Sequence, residues 1–240
     1  RLVHLLVELS TIAAVDHRGT EYILDYPDLV IAAQDVDATR RLFETRTTWP
    51  GKRHARLAIA NTLSGDLDDA YRHADSADKW IFHYRQQDRE HGTERTGPEQ
   101  LDIAAIPFCL IAQNRAKSAT QFMRGWNNWY AYEVAEHIFC LLEQANSAMS
   151  QSEASVSEFL DSLTDDIGVI ASALSFAEVD NIQRKQLIKK LSMACRKTKS
   201  IESNDNYHQE GRYLLQDGLR KASAIAASIG LVSEALAISS

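Results

Sequence analysis

The sequence predicts an all-α fold, and three features carry that prediction. No proline follows Pro107, so more than half of the 240-residue chain can run in helices without a fixed φ or a missing backbone donor. Alternation of apolar and polar residues is nearly absent: the best strand candidate, Tyr22-Ile23-Leu24, is short and runs into Asp25 and Pro27. Apolar residues instead recur at spacings of three and four. Leu67, Ala70, Tyr71, Ala74, Ala77 and Ile81 share one helical face, which Gly65 and Asp66 open as turn and N-cap.

Applied along the chain, the same criteria place helices at about 1–15, 29–46, 51–63, 66–86, 98–116, 118–145, 153–174, 178–197 and 207–238. The polar stretches 86–98, 145–155 and 198–206 read as solvated connections, and helices joined in this way pack as antiparallel neighbours. The architecture expected is a set of antiparallel helix pairs, either an irregular solenoid or a helical bundle. Residues 1–147 form a repeat-like region and 148–240 a continuing helical region.

Composition narrows the function classes. The chain is 45% apolar and 25% charged, which is ordinary for a globular protein. Its longest uninterrupted apolar run, Ile103 to Ala112, is far short of the roughly 18 residues that span a bilayer, so no membrane association is expected. Cys109, Cys140 and Cys195 are sparse, odd in number and far apart, which argues for a cytoplasmic protein rather than a secreted disulfide scaffold. A net charge of -7 disfavours nucleic-acid binding by the chain as a whole. The chain opens at Arg1 without an initiator Met. It closes on an apolar stripe of Leu231, Ala235, Leu236 and Ile238, just as a second helix begins after Gly230, and both ends read as those of an excised segment.

Internal similarity centres on residues 54–77. Leu57, Ala58, Gly65, Ala70 and Ala77 set a helix, a tight Gly-Asp turn and a second helix, with short side chains where two antiparallel helices must approach. This segment resembles a tetratricopeptide repeat. The first-helix Trp and Tyr positions of that family carry His54 and Asn61 here, and its final Pro position carries Phe82. Weaker echoes surround Ala38, Ala119 and Ala235, each in a turn-then-helix setting, although their separations fit no fixed period. Degenerate repeats of this kind resemble those of large bacterial STAND-type NTPases, which implies a scaffold or sensor role for such a segment.

No Walker loop, HExxH, GxSxG or paired CxxC occurs, and no catalytic, cofactor-binding or metal-ligating residue is assigned. Two histidines have a carboxylate four residues earlier: Asp69 precedes His73 and Glu133 precedes His137, with Glu136 alongside. Such pairs read as helix-surface contacts, and a metal-binding or enzymatic bundle around Glu133, Glu136 and His137 stands as an alternative.

Partner recognition is the leading expectation, by a protein or peptide or by adjacent domains of the same chain. Lys52, Arg53 and Arg56 open the first helix of the repeat-like unit. The resemblance implies that this helix lines a concave peptide-binding surface, where the three cations would meet an acidic partner. Between Phe122 and Phe139, Trp126, Tyr130, Val134 and Ile138 recur every four residues and read as a buried face, while Trp129 and Tyr132 fall off it and are candidate partner anchors. Residues 184–199 carry Arg184, Lys185, Lys189, Lys190, Arg196, Lys197 and Lys199 without an acidic side chain. That basic helix offers cations to solvent, to an acidic surface or, as a further alternative, to nucleic acid.

Overall fold

The structure is a computed structural model that describes residues 36, 37, 40, 50–91, 98–124, 126, 128–145, 152–176, 179–198 and 209–239. Among these there are ten helices and no strand, so the chain is all-α. The expected helix at 1–15, most of that at 29–46, the candidate strand at Tyr22, the echo at Ala38 and most of the connections 145–155 and 198–206 lie outside the described residues, while residues 86–91, expected to open a connection, are helical.

The chain divides into two compact units. One comprises residues 1–114 and 142–152, the other 115–141 and 153–240. The first contains α1 (Pro50–Ser64), α2 (Leu67–His91) and α3 (Gln100–Ala112), which pack on one another pairwise. Pro50 occupies the first position of α1, where its missing N–H costs nothing. Every residue of α3 from Leu101 to Ala112 is buried, as expected of a helix apolar almost all round, and Asp102 is the only carboxylate in that run, which holds no Lys, Arg or His. The small residues of the repeat-like unit, Ala58, Ala70, Ala74 and Ala77, all lie in the core together with Leu57 and Ile81.

The second unit contains α4 (Ala116–Met123), α5 (Asn128–Ala145) up to Leu141, α6 (Ser152–Ser162), α7 (Ile167–Ala173), α8 (Asn181–Lys197), α9 (Gln209–Ser228) and α10 (Val232–Ser239). α7 packs on α8 and α9, and α10 on both α8 and α9. Phe139 of α5 meets Phe159 and Phe176, with ring centroids 6.3 and 5.0 Å away.

Three expected helices are each broken in two, while the expected boundary between 98–116 and 118–145 falls a few residues early: α3 ends at Ala112, and α4 starts after Asn114, which is left-handed with φ of +58°. The span 118–145 parts between Met123 and Asn128, and 153–174 parts at Leu163–Asp166. The span 207–238 is interrupted at Gly230, where φ is +82°.

The joints share one design. After α1, the N–H of Gly65 (φ +85°) donates to Thr62 O at 3.1 Å and that of Asp66 donates to Asn61 O at 2.9 Å, the two bonds of a Schellman motif. After α9, Gly230 donates to Ala227 O at 3.1 Å and Leu231 to Ala226 O at 2.9 Å. Glycine fits both because a left-handed residue bearing a Cβ is strained. Asparagine tolerates that region better than most residues, and Asn114 donates to Ile111 O at 3.0 Å in the corresponding place. Five residues beyond each left-handed residue stands a buried alanine: Ala70, Ala119 and Ala235. Each alanine N–H bonds the carbonyl of the residue just after the joint, at 3.0, 3.2 and 2.9 Å.

Candidate functional site

The cations that open α1 are engaged within the chain. Arg56 is 1% exposed, and its Nη2 donates to Glu99 Oε2 at 3.0 Å and lies 3.5 Å from Asp102 Oδ1, a carboxylate that is itself 1% exposed. Lys52 Nζ donates to Glu99 Oε1 at 2.6 Å. Asp102 also serves its own helix, for its Oδ2 accepts the Glu99 backbone N–H at 3.1 Å. Burial pushes the Asp102 carboxyl above the usual carboxylate range, and the neighbouring Arg56 guanidinium pulls the other way. Arg56 therefore faces the core as an internal tie between α1 and α3, and the expected cationic peptide surface is reduced to half-buried Lys52 and Arg53. A sequence reading assigns long charged side chains to solvent, whereas here Glu99 and Asp102 supply compensating charge from another helix.

His54 of α1 and His73 of α2, both half-buried, meet across the pair that these two helices form. Their Nδ1 atoms are 3.0 Å apart, one ring donating to the other, and the ring centroids are 5.2 Å apart. Burial lowers the pKa of both imidazoles; Arg53 adds to this at His54, and His54, Arg40 and Arg53 add to it at His73, where Asp69 opposes them. The i,i+4 relation of Asp69 to His73 was visible in the sequence, but the cross-helix partner was not. A signal was available, since His54 lies eleven residues before Gly65 and His73 eight residues after it, on facing rods.

The second unit buries Tyr132, which was expected at an open groove. Its ring lies over Gly218 of α9, close enough that a Cβ there would stand 2.7 Å from Tyr132 Cζ, and its hydroxyl is hydrogen-bonded to Glu136. Burial, followed by Glu136, raises the Tyr132 pKa. Nearby, a Cβ on Gly168 of α7 would fall inside the Asn128 carbonyl oxygen and 2.8 Å from Tyr132 N, so α5 and α7 touch backbone to backbone. Trp129 is half-buried and edge-on to Tyr130 at 5.4 Å, while Trp126 stacks on Tyr130 at 5.0 Å. Trp126 and Tyr130, expected within the core, are likewise only half-buried. The buried face of α5 is wider than one i,i+4 row: it takes in Ala131, Tyr132, Val134, Ala135, Ile138, Phe139 and Leu141.

The comparisons return no match. No family model, curated protein or solved structure matches this chain. Function must be read from the side chains themselves.

Helix α8 presents the most coherent outward surface. Asp180 caps it, its carboxylate accepting from Ile182 N at 2.7 Å and Gln183 N at 2.8 Å, and Arg196 and Lys197 fall in the last turn, where the helix dipole favours cations. Leu187, Ile188, Leu191 and Ala194 are buried. Three of its cations serve the fold: Lys190 Nζ caps the end of α6 through Asp161 O at 2.7 Å, Lys197 pairs with Asp165 at 3.0 Å, and Arg196 reaches Ser233 Oγ at 3.3 Å. On the opposite side, Ile182 (70% exposed), Lys185, Lys189 and Met193 (56% exposed) fall within one narrow stripe at spacings of three and four. Elsewhere, Glu133 and His137 are half-buried and Glu136 is exposed, and among the described residues no three His, Cys, Asp or Glu side chains are grouped to hold a metal ion. No described helix is long and apolar enough to cross a membrane.

Proposed function

We propose that this region is a non-catalytic interaction scaffold that recognises an acidic, amphipathic helical segment of a protein partner, or of a neighbouring domain, along the outer face of α8. The observation that carries the reading is the stripe of Ile182, Lys185, Lys189 and Met193, with two cations set between two exposed apolar side chains on a helix that contains no acidic residue. A partner helix with Leu or Ile at one end of its contact row and Glu or Asp between would complement it in both charge and shape. Exposed apolar side chains supply the burial, and the lysines orient the partner and speed encounter.

The three joints at Gly65, Asn114 and Gly230 support a repeat-like scaffold, and we assign the tetratricopeptide-like segment around α1 and α2 to that scaffold rather than to the peptide contact. Its proposed setting is a cytoplasmic segment of a larger bacterial protein of the STAND-type kind. Nucleic acid is the less favoured partner, because a single short helix offers few phosphate contacts and its exposed apolar ends give phosphate nothing to bind.

Fluorescence anisotropy with a labelled acidic amphipathic peptide tests the proposal. Binding should weaken with salt and fall about tenfold or more in the Lys185→Glu/Lys189→Glu variant, with a smaller loss for Ile182→Ser. Retention of a DNA or RNA duplex in preference to the peptide, or peptide binding indifferent to both substitutions, would overturn it.

A further inference from the structure

We propose that His54 and His73 form a two-nitrogen chelate for a divalent transition-metal ion of square-planar or octahedral preference, copper(II) foremost. The two Nδ1 atoms already stand 3.0 Å apart across a helix pair whose relative position is fixed by the Gly65 joint. With metal–imidazole bonds of about 2.0–2.1 Å, that separation corresponds to an N–metal–N angle of roughly 94°, close to the right angle between neighbouring ligands of a square or octahedron. A tetrahedral ion would need the nitrogens at about 3.3 Å, so zinc fits less well. The general order of affinities also places copper(II) above nickel(II) and zinc(II).

The proton balance is simple. In the neutral pair one ring carries its hydrogen on Nδ1 and donates it to the other ring's lone pair. Binding moves that hydrogen from Nδ1 to Nε2 of the same ring, which frees both Nδ1 lone pairs without net loss of a proton. Neutral imidazole is the form that acts as a ligand. The surrounding charges act in both directions. Arg53 and Arg40 repel a dication, while Asp69, one turn before His73 and paired with Arg72, supplies the nearby negative charge. Water completes the remaining coordination positions.

Calorimetric titration of the intact chain with copper(II) in a non-chelating buffer at pH 7.4, followed by electron paramagnetic resonance, tests the site. One tight equivalent with nitrogen hyperfine structure is expected. It should weaken at least about tenfold in His54→Gln and equally in His73→Gln, with no further loss in the double variant, whereas His137→Gln should leave it intact. Because the chelate spans α1 and α2, copper(II) should raise the wild-type Tm and leave that of the His variants unchanged. Circular dichroism establishes that each variant is folded, and where one is not, the wild-type Tm shift and nitrogen spectrum decide. A tight equivalent that survives both single substitutions, or a wild type that binds no better than the double variant, would reduce the pair to a proton-sharing contact and overturn the proposal.

Discussion

The two units bring helices together by opposite means. In the first, α1 is tied to α3 by a guanidinium in the core, with Arg56 set against Glu99 and Asp102. In the second, α5 meets α7 where a side chain is missing, at Gly168, and lays its own Tyr132 ring over Gly218 of α9. The ionic tie is directional and specific, but each charge is stable only while its partner is present. The glycine contact carries no such liability to charge, yet it tolerates no added atom because the neighbour is rigid backbone.

The sharpest way to break this comparison is to remove one side of the ion cluster. Arg56→Met leaves Asp102 buried without its principal counter-charge and should cost about 3–5 kcal/mol in chemical denaturation. Arg56→Met combined with Asp102→Leu should recover most of that loss, since a buried pair replaced by packed apolar groups is often neutral or better. A double variant as unstable as the single would show that the network does more than neutralise itself.

Gly168→Ala tests the other unit and should cost roughly 3 kcal/mol, the upper end of overpacking, because Asn128's carbonyl cannot rotate away as a side chain would. An unchanged urea midpoint would mean that α5 and α7 slide apart freely.

The smallest effects belong to the joints. A Cβ on Gly65 or Gly230 meets nothing within 4 Å, so Gly65→Ala and Gly230→Ala should each lose only the left-handed backbone penalty, about 1–2 kcal/mol. Asn114→Gly should be neutral or slightly stabilising by the same logic. Thermal melts of the three variants would rank them, and a loss at Asn114 equal to that at the glycines would point to its side chain instead of its φ.

Much of the fold was legible where the chemistry is local. The ends of α1 and α8 and the start of α2 fall within a few residues of expectation, because Gly65-Asp66 and Asp180 are turn and cap residues whose preferences act within one turn, whereas α2 runs on to His91 through residues read as a connection. The break at Leu163–Asp166 carries no Gly or Pro at the point of interruption, so no local breaker signal marks it. The site residues were harder to read for a related reason. Burial of Arg56 depends on carboxylates 43 and 46 residues away, and the one usable hint was an aspartate in an otherwise apolar helix. Tyr132 was misplaced because a strict four-residue row underestimates a face packed from two sides.

The three joints demand little of the genetic text. Each fixes one dihedral angle and, five letters later, one methyl group.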